Sequence, residues 1–268
     1  MTVKRRVPKW LVHTAAVCFW IALWAGLALI VRKDLLLPAP WTVLSRLFAL
    51  LPTRAFWAAA GFSLLRVLCG ILLAMLSGIL LAALSVKSSA VSALLAPVMT
   101  IIKATPVASF ILLTLVWIGR DSLPVFIAFL IVLPVVYTNV REGIGQIDTG
   151  LTEVAAVFAF SRLDRTRHVL LPAVLPYLGS ACRSAFGLAW KAGVAAEVLA
   201  QSANSIGRRI YESKQYMETP DLFAWTLTVI LLSLLLEKAL FALPRLLRRR
   251  KPTPPVPDAR KEDDRADL

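Results

Sequence analysis

Few side chains in this sequence belong to types that make or break bonds, and their spacing does not gather them. The two histidines, His13 and His168, are far apart, and neither has neighbours at zinc-ligand spacing. Cys18, Cys69 and Cys182 sit singly inside apolar runs, where cysteine serves as a small core residue rather than a disulfide or metal partner. No Gly-x-x-x-x-Gly-Lys-Ser/Thr loop is present to cradle nucleotide phosphates. Catalysis needs a clustered nucleophile, base or metal set, so no catalytic, cofactor or metal site is expected. The ionisable residues that stand out lie inside the apolar runs: Arg66, Lys103, Arg183, Lys191, Glu197, Glu237 and Lys238. Charges at membrane depth are expensive, and they face a water-filled cavity or a partner.

The elements that must carry those charges are membrane spans. The chain has 268 residues and is 58% hydrophobic, well above a soluble domain, and its apolar residues fall in runs long enough to cross a bilayer as helices. Backbone groups must be satisfied within each span, and no alternating barrel pattern is present. The reading is an all-α integral membrane protein with six transmembrane helices, near 10–31, 57–84, 91–118, 124–140, 173–199 and 222–243. Pro97 and Pro106 predict a kinked or broken third span. Residues 1–56 hold a basic segment, an uncleaved first span and a linker with an amphipathic piece near 44–51. Residues 57–247 form the core, and the Pro- and charge-rich residues 248–268 read as a disordered tail.

The net charge of +14 is a topological signal rather than a nucleic-acid footprint. Lys and Arg outside the spans concentrate before the first span, at Lys87, in 141–172 and in the tail. The positive-inside rule then puts both termini, and segment 141–172, in the cytoplasm.

That segment interrupts the apolar runs with "TEVAAVFAFSRLDRTRHVLLP". It reads as two short helices. Asp148 or Thr149 could cap the first, which bears Glu153 and the small face of Ala155, Ala156 and Ala159. Ser161 followed by Asp164 resembles a capping box for the second, which projects Arg162, Arg165 and Arg167 and ends at Pro172. A small-faced, charge-edged helix pair suits a groove on a soluble partner; a solvated loop with helical tendency is the plainer alternative.

Here the sequence resembles the permease subunits of binding-protein-dependent ABC importers. Their hallmark is a cytoplasmic Glu-Ala-Ala segment, with Gly six residues after the Glu and Ile-x-Leu-Pro beginning ten after the Gly. Glu153, Ala155, Ala159, Val169, Leu171 and Pro172 keep that spacing. Val154 replaces the first Ala, and Ala159 replaces the Gly; if the turn needs positive φ, Ala costs about 1 kcal/mol there. "LLLPAPWTV", "SLLRVLCGILLA" and "IKATPVASFILLTLVWIG" resemble the nitrate, sulfonate, taurine and bicarbonate group of these permeases, so the likeness covers about residues 35–245.

The resemblance implies a type I importer permease fold. It also implies a cytoplasmic ABC ATPase dimer, which uses ATP and Mg and seats the segment Glu153–Pro172. The other implied partners are an extracytoplasmic solute-binding protein, a second permease copy in a homodimer, and the lipid of the inner membrane. The transported solute would be a small organic or inorganic anion such as a sulfonate, taurine or nitrate. Within the spans, Lys103 precedes the break at Pro106, and a broken helix beside a charge suits a solute path; snorkelling or structural pairing is the alternative. Lys191 lies about 15 residues past Pro176, roughly 22 Å along the helix, with Glu197 near the outer mouth. Arg66 is a candidate partner for Glu197 across helices. Lys103, Pro106, Arg183, Lys191 and Glu197 are the candidate pathway residues. Two other readings remain: a self-sufficient secondary transporter or channel, and a vitamin-precursor importer of the same ABC architecture.

Overall fold

The structure is a computed structural model that describes residues 8–248, without the side chains of Lys9, His13, Thr152, Ala156, Arg162 and residues 240–248. The tail expected to be disordered therefore lies, apart from Arg248, outside the described residues. All regular elements described are helical. In order they are α1 (Lys9–Val31), α2 (Pro40–Leu50), α3 (Arg54–Lys87), α4 (Ser89–Ala104), α5 (Val107–Thr114), α6 (Leu123–Gly145), α7 (Thr149–Val157), α8 (Arg162–Arg165), α9 (Leu171–Ala200), α10 (Ile206–Gln215) and α11 (Thr219–Arg248), with a π turn at Thr166–Leu170 joining α8 to α9.

Five helices are long and apolar enough to cross a membrane, and α4 with α5 makes a sixth candidate, bent by 104° at its break. The break falls where the sequence demands it. Pro106 cannot continue a helix and pushes Thr105 into extended backbone, and Thr105 has φ −81° and ψ 131°.

The centre of the protein is α3, α6 and α9. The buried stripe of α3 runs Ala59, Ser63, Val67, Gly70, Ala74, Gly78, Ala82 and Ser85, at helical spacing and mostly of small residues, which lets neighbouring backbones approach closely. A Cβ on Gly70 would lie 2.4 Å from the carbonyl oxygen of Val125, so only glycine fits. Further along the pair, the hydroxyls of Ser85 and Tyr137 meet at 2.9 Å. Both chains advance in the same direction between those two contacts, so α3 and α6 are parallel. The connection through α4 and α5 must therefore carry the chain back across the bundle, which makes that bent pair one broken crossing. The opposite holds for α9. Its Ser63–Glu197 and Met75–Cys182 contacts with α3 run antiparallel, with the buried alanines 181, 185, 189, 192 and 196 on the packed face.

Around this centre, α11 is fixed by Trp190, whose Nε1 donates to the Val229 carbonyl at 3.1 Å. It is also fixed by a salt bridge from Arg46 of α2 to Asp221, which includes an Nη2–Oδ2 bond of 2.7 Å. Almost none of α1 is buried. A helix apolar on all sides with so little burial faces lipid, and α1 is tied in chiefly by Trp24, which donates to the Pro38 carbonyl at 3.1 Å and stacks on Phe223.

Candidate functional site

The segment between α6 and α9 is built by local capping. Asp148 Oδ1 accepts the Gly150 N–H at 2.8 Å, which starts α7. The helix ends in a left-handed turn: Ala159 has φ 48°, and the Phe160 N–H donates to the Ala155 carbonyl at 2.9 Å. That six-to-one bond with a left-handed residue is a Schellman ending, and it occupies the position where the sequence puts Ala in place of Gly. Ser161 then opens α8, accepting the Asp164 N–H at 3.2 Å. The return half of the expected box is altered, because the Asp164 carboxylate takes the Ser161 hydroxyl at 2.6 Å instead of a backbone donor.

One expectation is corrected. Pro172 does not end the second helix; the helix runs without interruption from Leu163 through Pro172 and Pro176 to Ala200. The reason lies just upstream. The π turn shifts the hydrogen-bond register, with the Leu171 N–H reaching the Thr166 carbonyl, immediately before the residue that lacks a donor. A π turn absorbs a proline that an unbroken α ladder would not.

Within this segment Ala155 is buried against its own structure while Glu153, Ser161, Leu171 and Pro172 are exposed and Val169 is half-buried. The side chain of Arg162 lies outside the described residues. Val154, Val157, Phe158 and Leu163 are 51%, 82%, 70% and 76% exposed. Such a run of bare apolar side chains beyond the last turn of a span, edged by Glu153, Arg165 and Arg167, is the signature of a protein-binding surface. The larger Val154 costs nothing internally because it points out.

A second polar constellation lies at the opposite end of α9. Glu197 is fully buried. Its Oε2 accepts the Ser63 hydroxyl at 2.6 Å and the Gly207 N–H at 3.3 Å, and Ser63 in turn accepts the Ile206 N–H at 2.9 Å. Arg66 Nη1 lies 3.5 Å from Glu197 Oε1, so the pairing considered from sequence is present, as a charge contact without a hydrogen bond between those two atoms. Arg66 Nη2 also donates to the Ala203 carbonyl at 2.8 Å and to Asp121 at 3.1 Å. The cluster thus ties α3, the α5–α6 turn, the end of α9 and the start of α10. Gly207 permits it: a Cβ there would meet Glu197 Cβ at 2.3 Å. Asp121, Ser202 and Ser205 belong to this junction and were not singled out from sequence; the only signal was the placement of Ser63 and Arg66 on one face of the "SLLR" stretch.

The other candidate pathway residues are not gathered with Glu197. Lys103 is exposed at the last turn of α4, and Pro106 is exposed at the start of α5. Lys191 lies on an exposed stripe of α9 with Ser184, Leu188 and Ala195, flanked by exposed Arg183. Neither Lys103 nor Lys191 makes an ion pair among the described residues.

A bundle of membrane-crossing helices around a parallel α3–α6 pair, with an exposed amphipathic helix-turn-helix at one end, defines a transport subunit built to meet a soluble partner. The chain belongs to the family of binding-protein-dependent transport system inner membrane components, which matches residues 67–251. It is a multi-pass inner-membrane permease component, and ATP hydrolysis in such systems is done by a separate ATPase. It is 30% identical to the putative aliphatic sulfonates transport permease protein SsuC of Escherichia coli K12, over 92% of this chain and 93% of that one. It is 28% identical to the nitrate import permease protein NrtB of Synechococcus elongatus over 78% of each chain. With the taurine transport system permease protein TauC of E. coli K12 it shares 24% over 84% and 83%. In fold it resembles a chain of the inward-facing MetNI methionine ABC transporter, with a TM-score of 0.54 and 19% identity, covering 80% of this chain and 99% of that one.

Proposed function

We propose that this permease imports a small organic or inorganic anion, of the sulfonate, taurine or nitrate kind, with α7 and α8 as its contact to a cytoplasmic ATPase dimer. The observation that carries the coupling role is the exposed apolar ridge of Val154, Val157, Phe158 and Leu163 beside Glu153, which has no use within a single protomer. The ridge side is then cytoplasmic. The N-terminal end of α1 and the C-terminal end of α11 share that side, because α11 begins after α10, which packs at the Glu197 end of α9, and Trp24, toward the C-terminal end of α1, stacks on Phe223 in the first turns of α11. ATP and Mg bind the ATPase, and this chain holds no cofactor.

The solute path in this reading lies along the exposed faces of α4–α5 and α9, closed by a second copy of the chain. Lys103, Arg183 and Lys191 are exposed cations on those faces, Lys103 and Lys191 make no ion pair among the described residues, and such positive charge favours an anion. The break at Pro106 supplies the irregular backbone that such a path uses. Glu197, enclosed within one protomer, fits an anchoring role better than contact with solute. An extracytoplasmic binding protein delivers the solute to the opposite mouth.

The test is capture of the ATPase from detergent by wild type and by Glu153→Arg. Weakened capture by a well-inserted variant supports the docking role, and equal capture with unchanged transport refutes it.

A further inference from the structure

Away from the coupling ridge and the buried Glu197 junction, one cleft brings a cation together with hydroxyls, and Arg141, Ser89 and Ser92 in it have no side-chain partner among the described residues. It opens at the α7 end of the bundle, where the last turn of α3, the first turns of α4 and the end of α6 converge. Its volume is about 650 Å³, within the range of small-ligand sites. Ser85, Ser89, Ser92 and Arg141 supply its polar lining, and its other walls are Val and Ala.

Among the described residues, Arg141, Ser89 and Ser92 have donor capacity to spare. Arg141 is exposed and has no ion pair or hydrogen bond among the described residues. Glu142 follows it in the chain, about 100° around the helix, and does not pair with it. Helical serines and threonines elsewhere in the protein return their hydroxyls to a carbonyl four residues earlier, as Ser77, Thr100 and Ser184 do. Ser92 makes no such bond, and the Ser89 hydroxyl also has no acceptor among the described residues. Ser85 is 4% exposed, and its hydroxyl shares a 2.9 Å hydrogen bond with the Tyr137 hydroxyl, which fixes its position in the wall. Lys87 adds a second positive charge at this end of α3.

Among side-chain donors lining a cleft, a guanidinium and three hydroxyls with no carboxylate select an oxyanion. Arginine presents paired N–H groups that match phosphate or sulfate oxygens, and basic pockets between spans at the membrane surface take anionic headgroups. We infer that the Arg141 cleft is an oxyanion-binding site at the coupling end of the permease. The shared chemistry is a tetrahedral anionic group, carried either by a lipid phosphate or by a free sulfate- or sulfonate-like ion.

The experiment titrates the delipidated full-length protein in detergent and reads its thermal midpoint by tryptophan fluorescence. The probes are short-chain phosphatidylglycerol, short-chain phosphatidylcholine, and sodium sulfate against chloride at equal ionic strength. A rise with phosphatidylglycerol but not phosphatidylcholine supports the site with a lipid source, and a rise with sulfate supports it with a free ion. In either case Arg141→Gln should weaken the apparent affinity at least tenfold with its ligand-free midpoint unchanged, since Arg141 makes no hydrogen bond or ion pair among the described residues. The double variant Ser89→Ala with Ser92→Ala should weaken it several-fold, and it carries the test should Arg141→Gln fail to fold. Equal responses of wild type and the variants, a response to both lipids alike, or no response to any probe would overturn the assignment.

Discussion

Replacing Glu197 by Leu should destabilise the junction at the C-terminal end of α9, and the size of the effect follows from its contacts. Leu leaves the Ser63 hydroxyl and the Gly207 N–H without their buried acceptor. It also removes the carboxylate facing Arg66, whose side chain is only 13% exposed. Removing one member of a buried pair costs roughly 3–5 kcal/mol. Arg66 keeps Asp121 and the Ala203 carbonyl, so the lower end, about 3 kcal/mol, is expected. For a chain of this size that is a fall of roughly 6–12 °C in thermal midpoint, read by fluorescence of the protein in detergent. A double-mutant cycle separates charge from packing. Arg66→Met combined with Glu197→Leu removes both charges, and such double replacements are often near neutral. The double variant should therefore be less damaged than the sum of the singles by about 1 kcal/mol or more. Additivity within about 0.5 kcal/mol, or a midpoint for Glu197→Leu within about 2 °C of wild type, would refute the claim that this pair anchors the junction.

Ala159→Gly should stabilise the α7 turn by up to about 1 kcal/mol, because the residue sits at φ 48° and glycine carries no Cβ penalty there. Hydrogen exchange at the Phe160 amide should slow by up to about fivefold, and faster exchange would argue against strain at this turn. Lys103→Met should lower uptake of the proposed anionic solute several-fold while leaving ATPase capture intact, since Lys103 makes no ion pair among the described residues. Wild-type uptake across sulfonates, taurine and nitrate would remove Lys103 from the path.

Much of this protein was legible in one dimension because a bilayer enforces simple rules. Spans announce themselves by length and hydropathy, and the lead-in at Thr105-Pro106 broke where proline chemistry requires. The segment between α6 and α9 was legible through caps and spacing, since Asp148 and Ser161 accept backbone N–H groups within three residues. What local rules missed was the π turn that carries the helix past Pro172, because a register shift upstream cancels a stop signal read one residue at a time. The Glu197 junction depended on the tertiary structure almost entirely. Its partners come from α3, the α5–α6 turn and α10, separated by up to 143 residues, and no periodicity links them. From sequence, Arg66 was one candidate partner for this isolated Glu, and nothing pointed to Gly207 or to the junction around them. Which partner is decided by how closely the backbones approach, and Gly207 against Glu197 sets that approach here.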